Sequence, residues 1–145
     1  MAAEGDAEEG PDLALVEVVE LRAEPNDCAF GERLCLSMSF TVDRDLAGHF
    51  WQVRYIVDTS KKRVIIGLGS TEAFDYPQGG PWSMTFEVPS IDVGDVPPSL
   101  LAQQDGLLVA ALTGPSGEEV SNVNMVVQVR PDGSGLRRYV INPLE

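Results

Sequence analysis

The sequence is poor in the residues that carry out chemistry. It holds one histidine and two cysteines in 145 residues. A histidine-based triad would have to use His49, which lies in DLAGHFW with no Gly-x-Ser-x-Gly turn and no nucleophilic cysteine to accompany it. Cys28 and Cys35 are too few for the disulfide framework of a small secreted domain, and no His or Cys partners converge on them to hold a metal. Basic residues are scarce too: 10 Lys and Arg stand against 23 Asp and Glu, a net charge of −13. That balance excludes a nucleic-acid backbone or an anionic membrane as the main partner, because both are bound through Lys and Arg. No apolar run approaches the roughly 20 residues needed to cross a bilayer. The opening MAAEGDAEEG has neither the basic nor the apolar part of a secretory signal. Together these absences predict reduced thiols, a nuclear or cytoplasmic address, no cofactor, no metal and no catalytic site.

What is present is β-strand signal. Hydrophobic residues make up 43% of the chain, enough for one packed core. Residues 1–12 are acidic, small and uncharged on the basic side, and read as a disordered tail. The domain is expected over 13–145. LCLSMSFTV, residues 34–42, places Leu34, Leu36, Met38, Phe40 and Val42 on one face and Cys35, Ser37, Ser39 and Thr41 on the other. Period two over nine residues is a half-buried antiparallel strand. Residues 51–57 and 82–88 alternate in the same way, with Trp51 and Trp82 on the inward rows. LALVEVVELR, 13–22, is β-prone but breaks strict alternation at Glu17 and Glu20, which predicts an edge strand with a bulge.

Residues 43–50 read as a connector, and 99–104 as one or two helical turns entered through Pro97 and Pro98. GLLVAALT, 106–113, is apolar at nearly every position and so predicts a central strand covered on both sides. GPSG, 114–117, turns it into EEVSNVNMVVQV, 118–129, where Asn122 and Asn124 share a polar face. With strands at 61–70 and 136–141, about eight strands recur at the spacing of an immunoglobulin-like antiparallel β-sandwich, an all-β fold.

The glycine-rich GLGS at 67–70 lacks the spacing and the following helix of a phosphate-binding loop. Lys61, Lys62 and Arg63 form the one basic run, on an expected hairpin tip. Two readings are open for it: a solvated turn that discourages edge pairing, or a salt-sensitive contact with an acidic partner. What remains for function is binding through sheet edges and half-covered faces. Leu108 and Val126 are the apolar candidates for a shallow outer-face pocket.

Three stretches resemble the anti-silencing-function histone chaperone family: DLAGHFWQVRYIV, LLAQQDGLLVAALTGPSGEEV and RRYVINPLE. The resemblance implies an immunoglobulin-like sandwich that binds a core histone dimer. It places Asp43 and Asp45 near the family's histone-binding carboxylates, Leu108 near an apolar pocket residue and Asn122 near a family arginine. It places Tyr139, Val140 and Ile141 on the strand that pairs with a histone tail. Three departures are visible. Ala47, Gly48 and His49 stand where the family carries acids, DTSKKR is basic where the family's hairpin is acidic, and RPDGSG is shorter than the corresponding family segment. The expectation is a non-enzymatic protein-binding module, monomeric when free, using a sheet edge and an exposed apolar patch. The expected partners are core histones or, as the alternative, axonemal or other cytoskeletal proteins that it would join as a structural adaptor at the cilium.

Overall fold

A computed structural model describes residues 16–58, 62–94, 96–103, 105–133 and 135–144. The acidic segment 1–12, the first residues of the predicted opening strand and Lys61 lie outside the described residues. The chain forms an antiparallel sandwich of two unequal sheets. Strands in chain order are β1 (Val16–Glu24), β2 (Cys28–Ala29), β3 (Leu34–Val42), β4 (Leu46–Asp58), β5 (Arg63–Ser70), β6 (Phe74–Tyr76), β7 (Gly79–Val88), β8 (Gly106–Thr113), β9 (Glu119–Asp132) and β10 (Gly135–Val140). A single helical turn, α1 (Pro98–Leu101), lies before β8. The small sheet runs β1-β3-β7, and the large one runs β2-β10-β9-β8-β4-β5 with β6 paired to the start of β4.

The immunoglobulin-like sandwich expected from strand spacing is the one that forms, with two short strands added. β2 pairs with β10 through only two residues, and β6 meets β4 at Leu46↔Tyr76 and His49↔Phe74. These pairings also turn part of the expected connector 43–50 into strand, because β6 gives residues 46–49 a partner. β1 is an edge strand with a register shift between Val18 and Glu20, as its broken alternation predicts. The helical segment closes after one turn, with the Ala102 N–H bonded to the Pro98 carbonyl.

The core follows the alternation of β3 and β4. Leu34, Leu36, Phe40 and Trp51 are fully buried, and Val53 and Tyr55 nearly so. Phe40 meets Trp51 edge-on at 5.2 Å and Tyr76 at 5.1 Å, while Phe30 closes on Tyr55 at 5.5 Å. Burial of each large apolar side chain contributes about 1.5–3 kcal/mol, so this core stands without disulfide or metal. Both cysteines are free thiols.

The opposite side of Tyr55 is closed by Gly106. A β-carbon there would lie 2.0 Å from the Tyr55 hydroxyl and 2.3 Å from Cζ, so only glycine lets β8 pass the ring. One charge enters the interior. Arg138 on β10 is fully buried, and its guanidinium donates to the carbonyls of Phe30 and Glu32 at 2.7 Å each, Arg33 at 2.6 Å and Pro25 at 3.3 Å. It fastens loop 25–33 over the end of the core. Burial lowers its pKa from the ordinary arginine value, with Cys28, Glu32 and Tyr55 acting in the opposite direction.

Candidate partner-binding face

Register decides what the large sheet shows to its outer side. Trp51, Val53, Tyr55 and Val57 of β4 belong to the core, so Gln52, Arg54, Ile56 and Asp58 face away. Tyr55 pairs with Leu108, and Leu108 with Met125, which carries Leu108 inward to 1% exposure. The expectation that Leu108 lines an exposed patch is therefore corrected: it is a core residue. Its neighbour Leu107 is the outward one.

Ile56 pairs with Ile65 on one side and Leu107 on the other, and Leu107 pairs with Val126. The Ile141 N–H donates to the Val126 carbonyl at 2.8 Å. Ile65, Ile56, Leu107, Val126 and Ile141 thus form one apolar row across β5, β4, β8, β9 and the end of β10. At about 4.8 Å between strands, the row is about 19 Å long. None of the five joins the cluster between the two sheets, although Ile56 is buried at 6% exposure and Leu107 is half-buried. Ile65 is 58% exposed, Val126 41% and Ile141 37%, and Tyr139 nearby on β10 is 46% exposed. Beside Ile65, Gly67 and Gly69 leave a shallow hollow of about 370 Å³ bounded by Gln52 and Arg54.

Ion pairs flank this row. Arg54 donates to Glu119 at 2.8 Å, and the Asn122 amide donates to the other Glu119 oxygen at 2.9 Å. Those two bonds, Arg54's first, hold the Glu119 carboxyl below the usual glutamate range. Arg130 meets Asp105 at 3.1 Å on the other flank. Among the sequence candidates, Asn122, Val126, Tyr139 and Ile141 share this outer face, while Val140 points inward at 3% exposure.

Asp43 and Asp45 stand apart, in the turn before β4. Asp43 holds its neighbour Arg44 through bonds of 2.9 and 3.0 Å, and Asp45 accepts the Gln78 N–H at 2.8 Å. From Leu46 to Ile56 the strand runs about 30 Å at roughly 3.3 Å per residue, so these acids lie at the far end of the sheet from the apolar row.

The expected pairing edge at Tyr139–Ile141 has a plug. The Asn26 amide donates to the Val140 carbonyl at 3.0 Å, and its oxygen accepts the Val140 N–H at 2.8 Å. One carboxamide makes both bonds that an added strand would make there. Asn142 ties the following segment to β1 by donating to the Leu21 carbonyl at 2.8 Å.

His49 is buried, with Nδ1 2.9 Å from the Ala47 carbonyl, and among the described residues no hydroxyl or thiol hydrogen-bonds to it. Among the described residues no three His, Cys, Asp or Glu side chains are placed to hold a metal ion. No helix among them is long and apolar enough to cross a membrane.

No protein-family model matches the sequence, and no curated protein sequence matches it. Among solved structures it is similar to Spo0M, a sporulation control protein from Bacillus subtilis. That match has a TM-score of 0.44 and 14% identity, over 80% of this chain and 49% of that one. It is similar also to a beta-glucosidase from Listeria innocua in complex with glucose, with a TM-score of 0.41 and 18% identity over 79% of this chain and 16% of that one. The chain therefore spans about half the length of the first and a sixth of the second. Likeness this remote carries no inference about what the chain does, and neither neighbour bears on the histone-chaperone resemblance.

Proposed function

We infer that the chain is a non-enzymatic protein-binding module whose contact surface is the outer face of the large sheet. The observation behind this reading is the continuous apolar row Ile65–Ile56–Leu107–Val126–Ile141, buried at Ile56 and exposed at Ile65, Val126 and Ile141. Exposed residues aligned with buried ones, edged by charged pairs, have the anatomy of an interface centre with a polar rim. The net charge of −13 favours a basic partner through faster encounter. Core histones fit that chemistry and the family resemblance, which makes the module histone-chaperone-like.

A second reading, a structural adaptor in a cytoskeletal assembly such as a ciliary axoneme, is favoured by a specific observation. Asp43 is bonded to its neighbour Arg44 and Asp45 to the Gln78 N–H, and both lie about 30 Å along β4 from the apolar row, so carboxylates and patch do not form one surface.

The test is a direct binding measurement with purified core histones and, in parallel, tubulin, using the native chain and Val126→Asp. Val126 is 41% exposed, so the substitution leaves the core in place. Histone binding that strengthens at low salt and drops at least tenfold in Val126→Asp supports the chaperone-like reading. Tubulin binding lost in the same variant supports the adaptor. Binding to either that is indifferent to Val126→Asp removes this face from the account.

A further inference from the structure

We propose that the free edge of β5, from Arg63 to Gly67, is a strand-addition site for an extended, acidic-flanked apolar segment of a partner protein. This site shares Ile65 with the outer-face row but is formed by the backbone edge of β5 and the cleft beside it.

The large sheet has two ends, and they are treated differently. At the β10 end, β2 covers Arg137 and Arg138, and Asn26 completes the Val140 peptide. At the β5 end no backbone hydrogen bond joins residues 63–68 to any segment but β4 among the described residues. An edge strand in that state offers alternate N–H and C=O groups in a row.

The two halves of β5 also differ. Near its end, a β-carbon on Gly69 would stand 3.1 Å from the Phe86 ring, so β7 closes on the strand there. Near its start, β5 is separated from residues 93–100 by a cleft of about 450 Å³. Val64, Ile65, Val93, Val96 and Leu100 line it. Among the described residues, the backbone bonds of that facing segment are local: Val96 to Val93, Leu100 and Leu101 to Pro97, Ala102 to Pro98 and Gln103 to Leu100. Pro97 and Pro98 have no N–H to offer β5, so this wall packs beside the edge without satisfying it.

Charge selects the occupant. Lys62 and Arg63 stand at the mouth of the cleft in a chain that is otherwise strongly acidic. Arg63 reaches Asp58 only at 4.0 Å, with both side chains about 60% exposed, a contact that screens readily. An added strand places alternate side chains on the two faces of the sheet. One set would enter the cleft between Val64 and Val96. The other would lie beside Ile65, whose 58% exposure is the largest among the apolar residues of the molecule that are described. A carboxylate at the strand's end would meet Lys62 and Arg63. A second copy pairing edge to edge is a poorer occupant, because its own β5 brings Lys62 and Arg63 and no carboxylate to the site.

The experiment uses the full chain and an acetylated, amidated peptide, DEVTITVED, followed by backbone NMR. Two control peptides accompany it: one with its acids replaced by lysine, and one N-methylated at alternate residues. The expected result is saturable shifts and slowed amide exchange at residues 64–67. The lysine peptide should bind at least tenfold more weakly, and the N-methylated peptide should lose binding. Arg63→Glu should weaken the acidic peptide at least fivefold, and Val126→Asp should leave it unchanged. Shifts confined elsewhere, equal binding of the acidic and lysine peptides, or full binding by the N-methylated peptide would overturn the proposal. So would a concentration-dependent dimer with the same β5 shifts and no peptide. Because Val126→Asp is silent here and decisive for the outer face, the two readings fail separately.

Discussion

Replacing Arg138 with methionine tests whether the loop over the core is fastened by a single buried cation. Methionine keeps the volume of the stem and removes the guanidinium. Four carbonyls, those of Pro25, Phe30, Glu32 and Arg33, then lose a charged donor at once. A hydrogen bond to a charged group contributes about 1.5–3 kcal/mol. Two effects reduce the gross total. Burying a guanidinium that is bonded to carbonyls and not to a carboxylate costs several kcal/mol, which the variant recovers. The Glu32 and Arg33 carbonyls belong to exposed residues and regain water. The net expectation is a loss of about 2–4 kcal/mol.

For a chain of this size, with a urea slope of about 2 kcal/mol/M, that moves the midpoint down by about 1–2 M. The same loss lowers Tm by about 6–12 °C. Urea unfolding followed by tryptophan fluorescence is a suitable assay, since Trp51 lies fully inside the core. Arg138→Lys is the sharper control. It keeps the charge, but a single ammonium cannot span four acceptors arranged around a planar fork, so it too should lose about 1–3 kcal/mol. A midpoint within about 0.3 M of native for the methionine variant, or a lysine variant as stable as native, would refute the staple.

Gly106→Ala should destabilise by about 1–3 kcal/mol, because the new methyl meets the Tyr55 ring. Urea titration of Gly106→Ala, Tyr55→Leu and the double variant should show a double variant less damaged than the two singles together imply; strict additivity would contradict the clash. Glu119 gives a pH signature. Its folded pKa lies below the ordinary value of about 4.5, so its contribution is present above that value and is lost as pH falls through the depressed one. Glu119→Gln should therefore be less stable than native at pH 7, with the gap closing in acid as pH falls below the ordinary glutamate range; a gap that stays constant across that range would rule out the Arg54 and Asn122 bonds as its source.

The layers of the fold are legible in the chain because alternation is a local property. β3 could be written down from its own nine residues, and the bulge in β1 from two misplaced glutamates. Leu108 shows where that reasoning gives out. In GLLVAALT nearly every position is apolar, so the strand carries no internal mark of which face is which. The mark lies on its partner. Asn122 and Asn124 face outward, and antiparallel pairing sets Ala111 and Val109 opposite them, which sends Leu107 outward with Val126 and Leu108 inward. Counting back across the GPSG turn does not find Leu107, because the register shifts by one between Leu112 and Thr113, and a straight count from Thr113↔Glu119 would set Leu108 opposite Asn124. Other features had no such signal. β2 and β6 are too short for periodicity, and the burial of Arg138 depends on four carbonyls supplied more than a hundred residues earlier. Asn26 at the Val140 edge likewise works through a contact across 114 positions.

Those two long-range contacts bear on where recognition happens. Arg138 and Asn26 both close the β10 end of the large sheet, one from within and one along the edge, using loop 25–33 as the cover. A partner that added a strand at Tyr139–Ile141 would have to displace the Asn26 amide and would gain no net hydrogen bond at Val140 for doing so. At the β5 end the same partner would satisfy groups that have no backbone partner among the described residues, beside a cleft already lined with valine and leucine. Backbone pairing therefore favours β5 over β10, and the resemblance that points to the terminal strand points to the end of the sheet this sequence has sealed.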